Sequence, residues 1–137
     1  MPIKTKRWND PIEPDDGFRL LICRYRPRAL KKELETWDKW EKNLGPSKDL
    51  HADFYGKHGE PIGWPEYRRR YLKEMKNQKE RIAELARQLG TGETITLLCS
   101  SACIDPEHCH RTLLKKLIEE PKEAWWRERK LRTGAAF

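Results

Sequence analysis

Between residues 99 and 111 the chain reads CSSACIDPEHCHR, which gathers three of its four cysteines and two of its four histidines. Thiols and imidazoles at this density can hold a soft metal, supply a nucleophile or line an anion site. Cys99, Cys103 and Cys109 follow a C-x3-C-x5-C pattern, with His108 and His110 flanking the last cysteine. Together with Cys23 they offer enough soft ligands for a zinc tetrahedron. The pattern is not the paired CxxC of a knuckle, however, and Cys23 and Cys99 follow apolar runs, where a free cysteine serves as a small core residue. The spacing therefore assigns no metal, and a metal-stabilised, non-catalytic protein stands as a second alternative.

A strand, a cysteine, a loop, an arginine and a helix also make up the anion loop of thiol phosphatases and sulfurtransferases. The phosphatases need C-x5-R, whereas Cys99 lies twelve positions before Arg111, Cys103 eight and Cys109 two. Asp105, as a helix N-cap, would also engage the amides that an anion needs. Cys109 has a separate case. The spacing puts it about one turn into a helix, between His108 and His110 and close to Arg111, where helix dipole and positive charge favour thiolate. It also stands four residues before Leu113, as His110 does before Leu114, so a packing role stays open for both. Cys109 and His110 are the candidate catalytic pair. Cys99 reads as the end of a core strand and Cys103 as a loop residue. Arg24, Arg26 and Arg28 alternate after another apolar run, so they project alike. With Arg111 they form the candidate ligand-binding set, suited to an oxyanion or phosphate.

The elements that position these residues follow from periodicity. FRLLICRY (18–25) and TITLLC (94–99) carry continuous apolar runs, as strands buried on both faces do, and IKTKRW (3–8) is β-compatible. Leu30, Leu34, Trp37, Trp40 and Leu44 recur at helical steps and predict a helix over 29–44. Ser47 can cap a short helix through Phe54, and an apolar stripe from Trp64 to Leu89 predicts one long helix. Asp105-Pro106 starts a last helix that Pro121 closes. Strand–helix alternation of this kind implies an α/β layered domain with a small, largely parallel sheet flanked by helices. Ligands in such sheets bind beyond the carboxyl ends of the strands, where CRYRPR and CSSACIDPEHCHR both fall.

The 137 residues fit one α/β domain over 1–120 and a basic tail over 121–137 that holds Trp125 and Trp126. With 36% hydrophobic and 37% charged residues and no apolar run of spanning length, the chain reads as cytoplasmic and without a membrane partner. In that compartment its cysteines are free thiols or ligands rather than disulfides. The net charge of +7 points to anionic partners. An anionic small molecule comes first, and a nucleic acid bound through the basic surface and Trp-bearing tail is the alternative. Neither a cofactor nor an oligomeric state is legible.

The blocks DDGFRLLICRYRPRAL, WDKWEKNLGPSKDL, WPEYRRRYLKEM and ITLLCSSACIDPEHCHRTLL, in this order, resemble domain-of-unknown-function family 488 of bacteria and archaea over roughly residues 3–120. The family pattern is matched by Arg24, Pro27 and Arg28 after the first core strand, and by Pro46 and Ser47. Asp105, Pro106, Cys109, His110 and Arg111 match its closing motif. The chain departs at Cys23, where relatives commonly carry Asp, and at Ser100-Ser101, where many carry a small residue and then Glu. The resemblance implies an α/β fold with one site built from both segments; it implies no reaction.

Overall fold

A computed structural model describes residues 3–120. Four strands, β1 (Ile3–Arg7), β2 (Phe18–Leu21), β3 (Lys39–Trp40) and β4 (Ile95–Cys99), form one sheet in the order β1-β4-β2-β3, and every pair is parallel. Four helices accompany them: α1 (Lys48–Phe54), α2 (Trp64–Met75), α3 (Lys79–Gly90) and α4 (His110–Glu119). This is the α/β architecture that the apolar strands imply. The two strands with continuous apolar runs, β2 and β4, are the central pair, and Leu20, Leu21, Leu97 and Leu98 have no exposed surface. The short strand β3 closes one edge. The other edge, β1, carries Lys4 and Lys6, charges that discourage pairing with a further strand.

The pleat sorts the side chains between the two faces. Leu20, Ile22, Ile95 and Leu97 meet Tyr67, Tyr71, Met75, Ile82, Leu85, Leu114 and Leu117 from the helices in the larger core. Leu21 and Leu98 belong to a smaller cluster with Cys23, Cys99 and Cys109, packed by Trp8 and Trp37. Among the described residues no helix is long and apolar enough to cross a membrane.

The helix expected over 29–44 does not form. Its place is taken by a 3-10 turn at Lys32–Leu34, strand β3 and a second 3-10 turn at Lys42–Leu44. The open edge of β2 decides this. Asp38 N donates to Arg19 O (2.7 Å) and Glu41 N to Leu21 O (2.9 Å), satisfying strand carbonyls that a helix would leave without partners. Trp40 Nε1 donates to Cys23 O at 2.8 Å, Leu34 stays exposed, and Ala29 sits at φ 57°, outside helical backbone. The apolar spacing is real, but its residues turn to different neighbours.

The stripe from Trp64 to Leu89 is also not one helix. A 3-10 turn at Lys76–Gln78 separates α2 from α3, where the stripe passes through the polar Gln78. The prediction of a cap at Ser47 is met, since its hydroxyl accepts from Leu50 N at 3.1 Å. Glu74 of α2 holds the same serine through its amide (2.8 Å) and its hydroxyl (2.5 Å). The last helix starts later than expected. Asp105 caps a 3-10 turn at Pro106–His108, and α4 begins at His110. Cys109 is thus the N-cap of α4 in extended backbone, not a residue of its first turn. Residues 121–137, to which the tail and its nucleic-acid reading belong, lie outside the described residues.

Candidate functional site

The carboxyl ends of β2 and β4 and the start of α4 meet in one cavity of about 100 Å³. Its thiol wall is Cys23, Cys99, Cys103 and Cys109; Arg24, His51, His108 and His110 supply its nitrogen. Among the described residues no Asp or Glu lines it. Each position has a local cause. Cys99 ends β4, fixed by the ladder that pairs it with Arg7. Cys109 and His110 are set by the start of α4. Cys23 and Arg24 follow β2 as it leaves the sheet, where Gly45 lies so close that a Cβ there would stand 2.6 Å from Ile22 O.

The cluster is tighter than the sequence spacing suggests. Cys99 Sγ lies 3.1 Å from Cys103 Sγ and 3.2 Å from Cys109 Sγ, and all four cysteines are free. Cys103, which reads as a loop residue, does lie in the turn after β4, but its thiol folds back into the cluster. The turn is built for this: Cys103 N donates to Ser100 O at 3.0 Å and Ala102 N to Ser100 Oγ at 3.1 Å. The signal was the C-x3-C step, long enough for one turn to return the second sulfur to the first.

Of the three thiols, Cys103 is the one whose surroundings favour thiolate. Hydrogen bonds from Cys109 and Cys99 lower its thiol against the cost of burial, and the positive charge of Arg111 acts in the same direction. Cys99, hydrogen-bonded to Cys103, and Cys109 are held well above the usual thiol range and act as S–H groups. Burial raises the Tyr55 phenol as well, with the neighbouring Cys103 next in effect.

His110 is buried and has a defined orientation. Burial lowers its pKa and keeps it neutral. Nε2 lies 2.8 Å from Ile22 O and is therefore the N–H donor. Nδ1 keeps its lone pair and faces Cys99 Sγ at 3.9 Å and the Tyr67 hydroxyl at 3.5 Å.

The arginines separate. Arg24 lines the cavity, its Nε donating to Pro46 O at 2.7 Å, and it makes no ion pair among the described residues. Its charge helps to lower His51, which burial lowers first. Arg26 turns to Glu35 at 2.7 Å and lies over Trp37. Arg28 is exposed and outside the cavity wall. Arg111 is buried behind the cluster, where its Nη2 donates to Cys103 O at 3.3 Å while its Nε has no partner among the described residues. The structure thus brings Arg24, Cys109 and His110 to one cavity with Arg111 behind it. An aromatic rim at the mouth escaped the sequence reading: Tyr25 packs edge-on to His51, which packs on Tyr55.

A family model described as the active DUF488-N3 subclade, DUF488-N3a, matches residues 3–122. The uncharacterised protein YeaO of Escherichia coli K12 is 34% identical over 111 residues, covering 79% of this chain and 90% of its own. The uncharacterised proteins Mb3100c of Mycobacterium bovis and Rv3073c of Mycobacterium tuberculosis are each 32% identical over 88 residues, covering 64% of this chain and 71% of theirs. No solved structure matches.

Proposed function

The chain belongs to the DUF488 family, and we propose that its cavity binds a small anionic ligand and performs thiol-assisted chemistry on it. The observation that carries this reading is the convergence, on a cavity that no carboxylate lines among the described residues, of Arg24, which makes no ion pair among them, and the cluster of Cys99, Cys103 and Cys109. Arg24 would hold the anionic group. Cys103, the least buried thiol of the three, would meet the electrophilic atom, and His110 Nδ1 would accept the Cys99 S–H and hold that thiol in place. The description of the matching model as an active subclade agrees with a chemical role. Ligands beyond the carboxyl ends of parallel strands are the general habit of such sheets.

Alkylation tests this without knowledge of the natural ligand. Iodoacetate and iodoacetamide deliver the same carbon with and without a negative charge. On protein stripped of metal by a chelator, and relative to glutathione, iodoacetate should react at Cys103 about fivefold faster than iodoacetamide. That ratio corresponds to about 1 kcal/mol of attraction in a partly solvated site. Arg24→Ala should remove the preference while Cys103 still reacts. Equal rates for the two reagents, or alkylation elsewhere first, would overturn the reading.

A further inference from the structure

We propose that Cys99, Cys103 and Cys109, with Nδ1 of His110, form a tetrahedral site for a soft d10 cation of the zinc class. A site of this kind does not need the anion-binding reading, and the two can fail separately. The three sulfurs all lie within 4.8 Å of one another; His110 Nδ1, 3.9 Å from Cys99 Sγ, lies outside that set and completes it only as the ion draws the thiols toward it. A nucleophile needs one thiol and a disulfide needs two; neither calls for a third buried sulfur in contact with both. Zinc–sulfur bonds of about 2.3 Å put the sulfurs of a tetrahedron about 3.8 Å apart. The observed 3.1 and 3.2 Å are reached from there by moving each thiol a few tenths of an ångström, and Cys103 stands on a turn that can give.

His110 is the independent observation. Ligating histidines are held by their second ring nitrogen on a carbonyl or carboxylate, which fixes the tautomer and aims the first at the metal. His110 has this arrangement: Nε2 bonds to Ile22 O at 2.8 Å, the ring is buried, and Nδ1 faces Cys99 Sγ. Its 3.9 Å from Cys99 Sγ compares with about 3.6 Å for sulfur and nitrogen on one tetrahedral zinc. Three thiolates and a neutral imidazole on a divalent ion carry one net negative charge. The buried guanidinium of Arg111, bonded to Cys103 O and with its Nε lacking a partner among the described residues, lies behind the cluster to balance it. On binding, the thiols lose their protons to solvent and form bonds to sulfur, and no electron is transferred.

The full chain, stripped with a chelator and kept under a phosphine reductant, should bind one equivalent of Zn(II) in competition with a chromophoric chelator. Co(II) in the same protein should give the intense visible bands of a tetrahedral ion and sulfur-to-cobalt charge transfer. Cys103→Ser is the first variant because Cys103 is only partly buried, so folding survives; it should raise the zinc dissociation constant more than about 100-fold, exceeding the loss typical of an outer-shell partner. Cys23→Ser, next to the cluster but outside it, should bind zinc as the parent does with unchanged charge-transfer intensity. Weak or substoichiometric zinc, a Co(II) spectrum without thiolate bands, or zinc binding unaffected by Cys103→Ser would overturn the site. Loss of binding in Cys23→Ser, or uptake of Cu(I) without Zn(II), would overturn the part given to His110. Because the haloacetate ratio is read on stripped protein, it can succeed or fail whatever zinc does.

Discussion

Gly45→Ala tests the link between the fold and the cavity. A Cβ at this buried position would stand 2.6 Å from Ile22 O, 2.9 Å from Arg24 N and 3.0 Å from Cys23 C, all backbone atoms. The closest approach is about 0.8 Å short of the 3.4 Å at which ordinary contact begins. Backbone cannot swing aside as a side chain can, so the 45–47 segment must back away from the end of β2. A shift of that size would stretch the bond from Arg24 Nε to Pro46 O from 2.7 Å to about 3.5 Å, past useful hydrogen-bond length. Overpacking costs about 1–3 kcal/mol, and the lost bond from a charged donor adds about 1.5 kcal/mol. A loss of about 3 kcal/mol follows, which at a urea slope of about 1.5 kcal/mol/M lowers the midpoint by roughly 2 M. Urea titration followed by tryptophan fluorescence reads the first effect. The iodoacetate-to-iodoacetamide ratio at Cys103 reads the second, and it should fall toward that of Arg24→Ala while the protein remains folded. An unchanged midpoint with an unchanged ratio would refute the claim that Gly45 sets the position of Arg24.

Two further outcomes test the scaffold. Asp16 is buried, and burial opposes its ionisation, but hydrogen bonds from Lys4, the Glu13 amide and Lys6 outweigh this and hold its carboxyl well below the usual range. A carboxylate depressed on folding contributes stability above its unfolded pKa of about 3.9, and that contribution is lost as pH falls through the folded value. Asp16→Asn leaves the buried Arg19 without its carboxylate partner, so it should cost about 3 kcal/mol at pH 7. The gap to the parent should shrink below about pH 4; urea midpoints at both pH values check it, and a gap that widens in acid would contradict the sign. Tyr71→Phe removes the phenol that donates to Leu44 O at 2.7 Å in a fully buried site. It should cost about 1–2 kcal/mol by leaving that carbonyl unsatisfied, read as a lower urea midpoint at unchanged slope.

The sheet was legible because buried parallel strands need apolar side chains on both faces; Leu20 to Cys23 supply them without interruption, and Ile95 to Cys99 with Thr96 as the one polar residue. The place of the site was legible for the same reason, since both strands end in polar segments at the same edge. The 29–44 helix misled because periodicity records spacing and not the partner: Trp37 packs on Trp8 while Trp40 bonds to Cys23 O. Nothing local announces that the edge of β2 will take the backbone of residues 38–41. The alternation of Arg24, Arg26 and Arg28 misled in a similar way. It assumes a strand that continues, whereas the ladder ends at Leu21 and Glu35, at the end of the 3-10 turn that follows, captures Arg26. Cys103 was hidden because a turn's path depends on bonds such as that of Ala102 N to Ser100 Oγ, which spacing alone does not define.

The distribution of the cluster over the fold bears on what it can do. Cys99 is fixed by a central strand, Cys109 by a helix N-cap, and His110 by its bond to Ile22 O at the end of β2. Three members therefore stand on elements that cannot move without disturbing the core. Only Cys103 stands on a turn, held by local backbone bonds, the Ser100 hydroxyl and the Arg111 guanidinium and partly open to solvent. A site with three rigid donors and one adjustable one can tighten around an ion or present a single thiol outward without refolding. Both readings of this cavity require that difference in stiffness. Both also place the reactive position at Cys103, the member that the strand and helix patterns alone could not locate.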